Sequence, residues 1–116
     1  MNGDWERLLA QVTALQGVRG ALVVSGDDGL VVHEAAMDGI DTSDVAALAS
    51  AVVRRVTGLA TSAGDPGVRL CTLAAEHGTL VAAQASDDLW LVAVAEPDAE
   101  LGRLRLLLGD LAPEFA

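Results

Sequence analysis

Lysine is missing from this chain of 116 residues: all seven basic residues are arginine, against 17 Asp and Glu, for a formal net charge of −10. So acidic a protein repels phosphate backbones and anionic headgroups, which argues against nucleic-acid binding and membrane attachment. Cysteine occurs once, as Cys71. That excludes an internal disulfide framework and fits a reducing compartment. Aromatics are limited to Trp5, Trp90 and Phe115, so Leu, Val and Ala must build the core. Long hydrophobic runs are missing too. A stretch such as residues 89–95 is far short of the roughly 18 apolar residues of a membrane span. No basic region followed by a long apolar one opens the chain, so no secretory signal is expected. The expectation is a cytoplasmic protein with a single domain over residues 1–116.

What is present is pattern. In "DWERLLAQVTALQG", Trp5, Leu8, Leu9, Val12 and Leu15 share one helical face, and Gly17 can end the helix. "VRGALVVS" and "LVVHEA" are β-branched runs flanking Gly26-Asp27-Asp28-Gly29, the pattern of an antiparallel hairpin. Apolar and polar residues alternate only weakly in them. Both faces of the hairpin are therefore expected to be covered, with helices on either side.

A long helix follows in "TSDVAALASAVVRRVTGLATSA". Asp41, Thr42 or Ser43 can cap it, and Asp44 suits the positive end of its dipole. Val45, Leu48, Val52, Val56 and Leu59 make one apolar stripe; Ala46, Ala49, Val53 and Ala60 make a smaller one. A helix with two stripes has two surfaces to pack against: its own sheet and, potentially, a partner. "GDPG" at residues 64–67 reads as a turn. "VRLCTLAA", "GTLVAAQA" and "LWLVAVA" then read as a three-strand meander. The last segment is a helix with Leu101, Leu104, Leu108 and Leu111 on its buried side. Asp98 is its expected cap, Glu100 falls in its first turn, and Pro113 ends it.

Candidate chemistry is sparse. The acidic hairpin tip lacks the following helix and the basic residue of a phosphate loop. Asp38, Asp41 and Asp44 are spaced by three, which fails the alternating ligand pattern of a calcium loop. His33, His77 and Cys71 lie in separate segments without zinc-ligand spacing. His33 reads as a rim residue, His77 as a turn residue and Cys71 as a small core or interface residue. No catalytic residue, cofactor site or metal site is expected. Arg54 and Arg55 are adjacent in mid-helix. They read either as a solvated face or as a contact for an acidic or phosphate-bearing partner. "VRLCTLAA" begins the meander and can lie at a sheet edge guarded only by Arg69. Two readings stand: an edge that pairs with another chain, or one shielded by its own loops.

The segments "GVRGALVVSGDDGLVV", "DTSDVAALASAVVRRVTGLA", "LWLVAVA" and "ELGRLRLLL", in an α-β-β-α-β-β-β-α order, resemble the Roadblock / dynein-light-chain domain, in the compact form of bacterial members. The resemblance covers nearly the whole chain and rests on joint order, not on one specific motif. It implies an α+β, profilin-like sandwich: a five-stranded antiparallel sheet with the first and last helices on one face and the central helix on the other. It also implies a homodimer joined through the central helix (residues 44–62) and third strand (residues 68–75), with one continuous ten-stranded sheet. The expected interface residues are Val45, Leu48, Val52, Val56, Leu59, Val68, Leu70, Cys71 and Leu73, with Arg54 and Arg55 as partner contacts. Bacterial relatives often act with small Ras-like GTPases, as a gliding-motility polarity regulator does, and eukaryotic ones scaffold dynein or GTPase complexes. The resemblance thus implies a non-enzymatic GTPase regulator, with a structural adaptor as the alternative.

Overall fold

A computed structural model describes residues 2–65 and 67–115. The chain forms α1 (Asn2–Thr13), β1 (Val18–Ser25), β2 (Val31–Ala35), α2 (Thr42–Ser62), β3 (Leu70–Ala75), β4 (Gly78–Gln84), β5 (Leu89–Ala95) and α3 (Leu101–Leu111), followed by a 3-10 turn at Ala112–Phe115. The strands make one antiparallel sheet in the order β2-β1-β5-β4-β3. The hairpin and the meander are therefore joined through β1 and β5, and β2 and β3 are left at the two ends.

The sheet separates two apolar layers. On one face Leu8, Leu9 and Val12 of α1 and Leu104, Leu108 and Leu111 of α3 cover Ala21, Val23, Val81, Leu91 and Ala93. Trp5 and Phe115 close this layer with ring centroids 5.5 Å apart. On the other face Ala46, Ala49 and Val53 of α2 cover Leu22, Val24, Leu80, Ala82, Trp90 and Val92. Strands covered on both sides need apolar residues at successive positions. This is why β1, β4 and β5 lack clean alternation.

The α1 and α3 stripes lie where periodicity places them, although Leu15 falls in the turn after α1 and packs there. Asp41 is the cap of α2, and its side chain accepts from the Asp44 amide at 3.0 Å. The expectation for α3 is corrected: Glu100, not Asp98, holds the cap position, and it makes no side-chain cap bond. A second correction concerns the first hairpin. β1 is buried on both faces, but β2 is largely exposed, with Val31 and Val32 open to solvent. β2 is an end strand bulged at Val32, and β-branched composition alone does not signal burial there. Of the turn expected at residues 64–67, Pro66 lies outside the described residues, and the Gly67 amide donates to Asp65 Oδ1. No described helix is long and apolar enough to cross a membrane.

Candidate interaction surface

The stripes of α2 divide as their side-chain sizes require. Ala46, Ala49, Ser50 and Val53 face the sheet and are buried. Three of these four are Ala or Ser, and such small side chains let a helix approach a sheet closely. The larger stripe is turned outward. Leu48 is 48% exposed and Leu59 72%, far more than a packed leucine shows. Val52 and Val56 are half-buried beside them, and Val45 leans against the α2-side core while remaining partly open.

β3 ends the sheet and has β4 as its single strand neighbour among the described residues. From Thr72 to Ala75 it is exposed, including Leu73 at 39%. Val68 and Cys71 pack partly against the α2-side layer and Leu70 against the opposite one. The nine apolar residues expected at an interface therefore fall into two groups. Leu48, Leu59 and Leu73 are free surface. Val45, Val52, Val56, Val68, Leu70 and Cys71 are half-buried at its inner margin. Burial pushes the Cys71 thiol up from its ordinary range, which keeps it protonated and poorly nucleophilic at neutral pH.

Arg54 and Arg55 are both exposed. Arg54 Nε donates to the Ser50 carbonyl at 3.4 Å, and among the described residues no carboxylate lies within 4.0 Å of either guanidinium. Arg54 lines a shallow cleft of about 210 Å³ with Asp27, Thr57, Gln84, Asp87 and Asp88. It is thus a cation beside acids but not locked to them. Arg55 is free on the outer side of the helix.

The acidic tip has a structural role. Gly29 has φ +71, the left-handed conformation its turn requires. The Ser25 amide donates to the Leu30 carbonyl and the Gly29 amide to the Ser25 carbonyl, both at 2.9 Å. Asp28 accepts from the Leu30 amide at 3.3 Å. The anchor of the tip is Asp88 in the β4–β5 connection. It accepts from Ser25 Oγ at 2.8 Å and the Asp27 amide at 3.0 Å, while its own carbonyl accepts from the Gly26 amide at 2.7 Å. Buried Ser50 of α2 donates to the Gly26 carbonyl at 2.7 Å. A side chain at Gly26 would start 3.0 Å from the Trp90 ring, so glycine permits this close approach. Asp88 and Ser50 escape sequence reading because their partners are 63 and 24 residues away. The one available signal was a serine on the small stripe of α2, four residues after Ala46 and three before Val53.

Among the described residues no three His, Cys, Asp or Glu side chains gather into a metal-binding group. His33 is half-buried on β2, and His77 is exposed in the β3–β4 turn within 4.0 Å of Glu76. What the geometry offers is an outward apolar stripe on α2, an open strand edge at β3, and two uncommitted arginines.

Comparison with known proteins bears on the family and the fold. The family model described as Roadblock/LC7 domain matches residues 4–95. No curated protein is similar enough in sequence to match. Among solved structures, a Roadblock/LC7 domain from Streptomyces avermitilis is 23% identical, with a TM-score of 0.83 over 96% of this chain and 92% of that one. MglB of Myxococcus xanthus is 20% identical, with a TM-score of 0.82 over 97% and 94%. An MglB described as having a tetrameric arrangement is 21% identical, with a TM-score of 0.82 over 98% and 91%. At such identities these likenesses establish the shared fold.

Proposed function

The chain belongs to the Roadblock/LC7 domain family, and from that premise we propose that it is a non-enzymatic homodimeric regulator of a small Ras-like GTPase. The observation that carries the reading is the outward α2 stripe of Leu48 and Leu59 together with the open β3 edge and its exposed Leu73. Isolated exposed leucines need no explanation, but apolar residues adjoining an unpaired strand edge form a pairing site. β3 carries no charged residue within Leu70–Ala75, so two copies can meet without repulsion. Pairing β3 with its twofold mate extends the sheet to ten strands and sets the two α2 helices side by side. The tetrameric arrangement described for one MglB relative is in keeping with self-association.

In that dimer Val45, Leu48, Val52, Val56 and Leu59 contact the partner helix, and Val68, Leu70, Cys71 and Leu73 lie along the strand seam. Arg54 and Arg55 lie along the paired helices as cations available to an acidic or phosphate-bearing surface. Such a protein alters a GTPase by holding its nucleotide-sensing loops in one arrangement, and contributes no reacting group.

The test is GTP hydrolysis and nucleotide exchange by a small Ras-like GTPase encoded beside this protein, with and without it. A changed rate that reverts with Arg54→Glu/Arg55→Glu supports the reading. A stable complex with unchanged rates makes the protein an adaptor, and unchanged rates with no complex on a sizing column overturn both roles.

A further inference from the structure

The proposed dimer uses one end of the sheet; β2 forms the other, with β1 as its single strand neighbour among the described residues. Leu30, Val31 and Val32 are 63%, 37% and 45% exposed in succession. Neighbouring residues of a regular strand point to opposite faces, so two adjacent open valines call for a cause. The register supplies it. Val23 pairs with His33 and Val24 with Val31, which leaves Val32 as an extra residue in a bulge. A bulge re-aims side chains that regular pairing would place against a helix. Beside these residues runs an open groove of about 480 Å³, lined by Val31, Val32, His33, Glu34, Thr42 and Ser43.

The charge along this stretch of the chain has one sign. Residues 20–53 contain Asp27, Asp28, Glu34, Asp38, Asp41 and Asp44 and no arginine. All six are exposed. Asp27 and Asp28 precede the apolar triplet in the tip, Glu34 is on β2 itself, and Asp41 and Asp44 bracket the groove residues Thr42 and Ser43. A bulge and a strand carboxylate ordinarily guard an edge, but guarding does not call for three open apolar residues in a row. A second copy of this edge would bring like charges together, which disfavours self-pairing.

We propose that the β2 edge is a second docking surface, and that its occupant is an extended segment of a partner protein with alternating apolar and basic side chains. The apolar residues of that segment sit against Leu30, Val31 and Val32. Its cations face Glu34, Asp38 and Asp44. The surface lies at the opposite end of the sheet from β3 and involves only the first turn of α2, and the inference stands whether or not the GTPase reading holds.

The test is a titration of the ¹⁵N-labelled full chain with a capped hexapeptide of alternating valine and lysine. Amide shifts are expected at residues 30–35 and 42–44, with a dissociation constant on the order of 0.1–1 mM at low salt. Screening should weaken binding about fivefold on going from roughly 20 to 200 mM salt. The double variant Leu30→Ser/Glu34→Gln alters exposed positions only, so its spectrum should stay dispersed while affinity falls about tenfold. A valine–glutamate peptide should not bind. Three results would overturn the proposal: no shifts at millimolar peptide, shifts centred on residues 70–75, or equal binding of the glutamate peptide.

Discussion

β2 and β3 end the same sheet, yet they meet solvent differently. β3 is uncharged within Leu70–Ala75 and runs without irregularity along β4. The segment around it, residues 54–77, holds Arg54, Arg55 and Arg69 against Asp65 and Glu76. β2 is bulged, carries Glu34, and lies in a stretch of six carboxylates and no arginine. A flat neutral edge can pair with its own twofold copy. A bulged acidic edge repels its copy and selects for opposite charge. The overall charge of −10 hides this division.

The largest expected effect breaks the proposed self-association at one edge and spares the other. Val52→Asp or Cys71→Asp would bury an unpaired charge at the α2–β3 interface, at a cost of about 3–5 kcal/mol. Sedimentation should then show monomer at micromolar concentration. Leu30→Asp on the β2 side should leave the association unchanged. If both edges respond alike, the contrast between them fails.

Next comes the anchor that fixes the hairpin tip, and so the start of β2. Asp88→Ala removes the acceptor of the Ser25 hydroxyl and the Asp27 amide. A loss of about 1–3 kcal/mol is expected in denaturant unfolding. Ser50→Ala leaves the buried Gly26 carbonyl without its donor and should cost about 1 kcal/mol. In both variants hydrogen exchange should rise at residues 26–35 and stay unchanged in β3.

The cap of α2 is a similar test from the helix side. Asp41→Ala removes the bond to the Asp44 amide, with an expected cost of about 1 kcal/mol in thermal unfolding. Arg54→Glu/Arg55→Glu alters exposed side chains without ion-pair partners among the described residues. Stability should change by no more than about 0.5 kcal/mol, while binding of an acidic partner should weaken.

The smallest effect is the Cys71 titration. Burial raises its folded pKa above the unfolded value. Its contribution to stability is therefore fully present below the ordinary thiol pKa and is lost as pH rises through the raised one. Alkylation by iodoacetamide near pH 8 should run slower than for a free thiol, and urea unfolding should restore the ordinary rate.

The architecture was legible because helix and strand periodicities differ and few residues break them. The double stripe of α2 announced two different surfaces, and side-chain size separates them: Ala46, Ala49 and Val53 face the sheet, Leu48 and Leu59 face solvent. Two classes of feature were not legible. Asp98 looked like a cap because capping residues are recognised by type, whereas the helix starts one position after Glu100. β2 looked buried because its residues suit a core strand, while its exposure goes with its place at the sheet end and the bulge at Val32. The Asp88 and Ser50 contacts link residues distant in sequence, and no local pattern records them.

Amide hydrogen exchange across a protein-concentration series reads both edges in one experiment. The account predicts that residues 70–75 become progressively protected from nanomolar to high micromolar protein, while residues 31–35 exchange at a constant rate. Concentration-independent exchange in β3, or protection that rises at β2 instead, would contradict it.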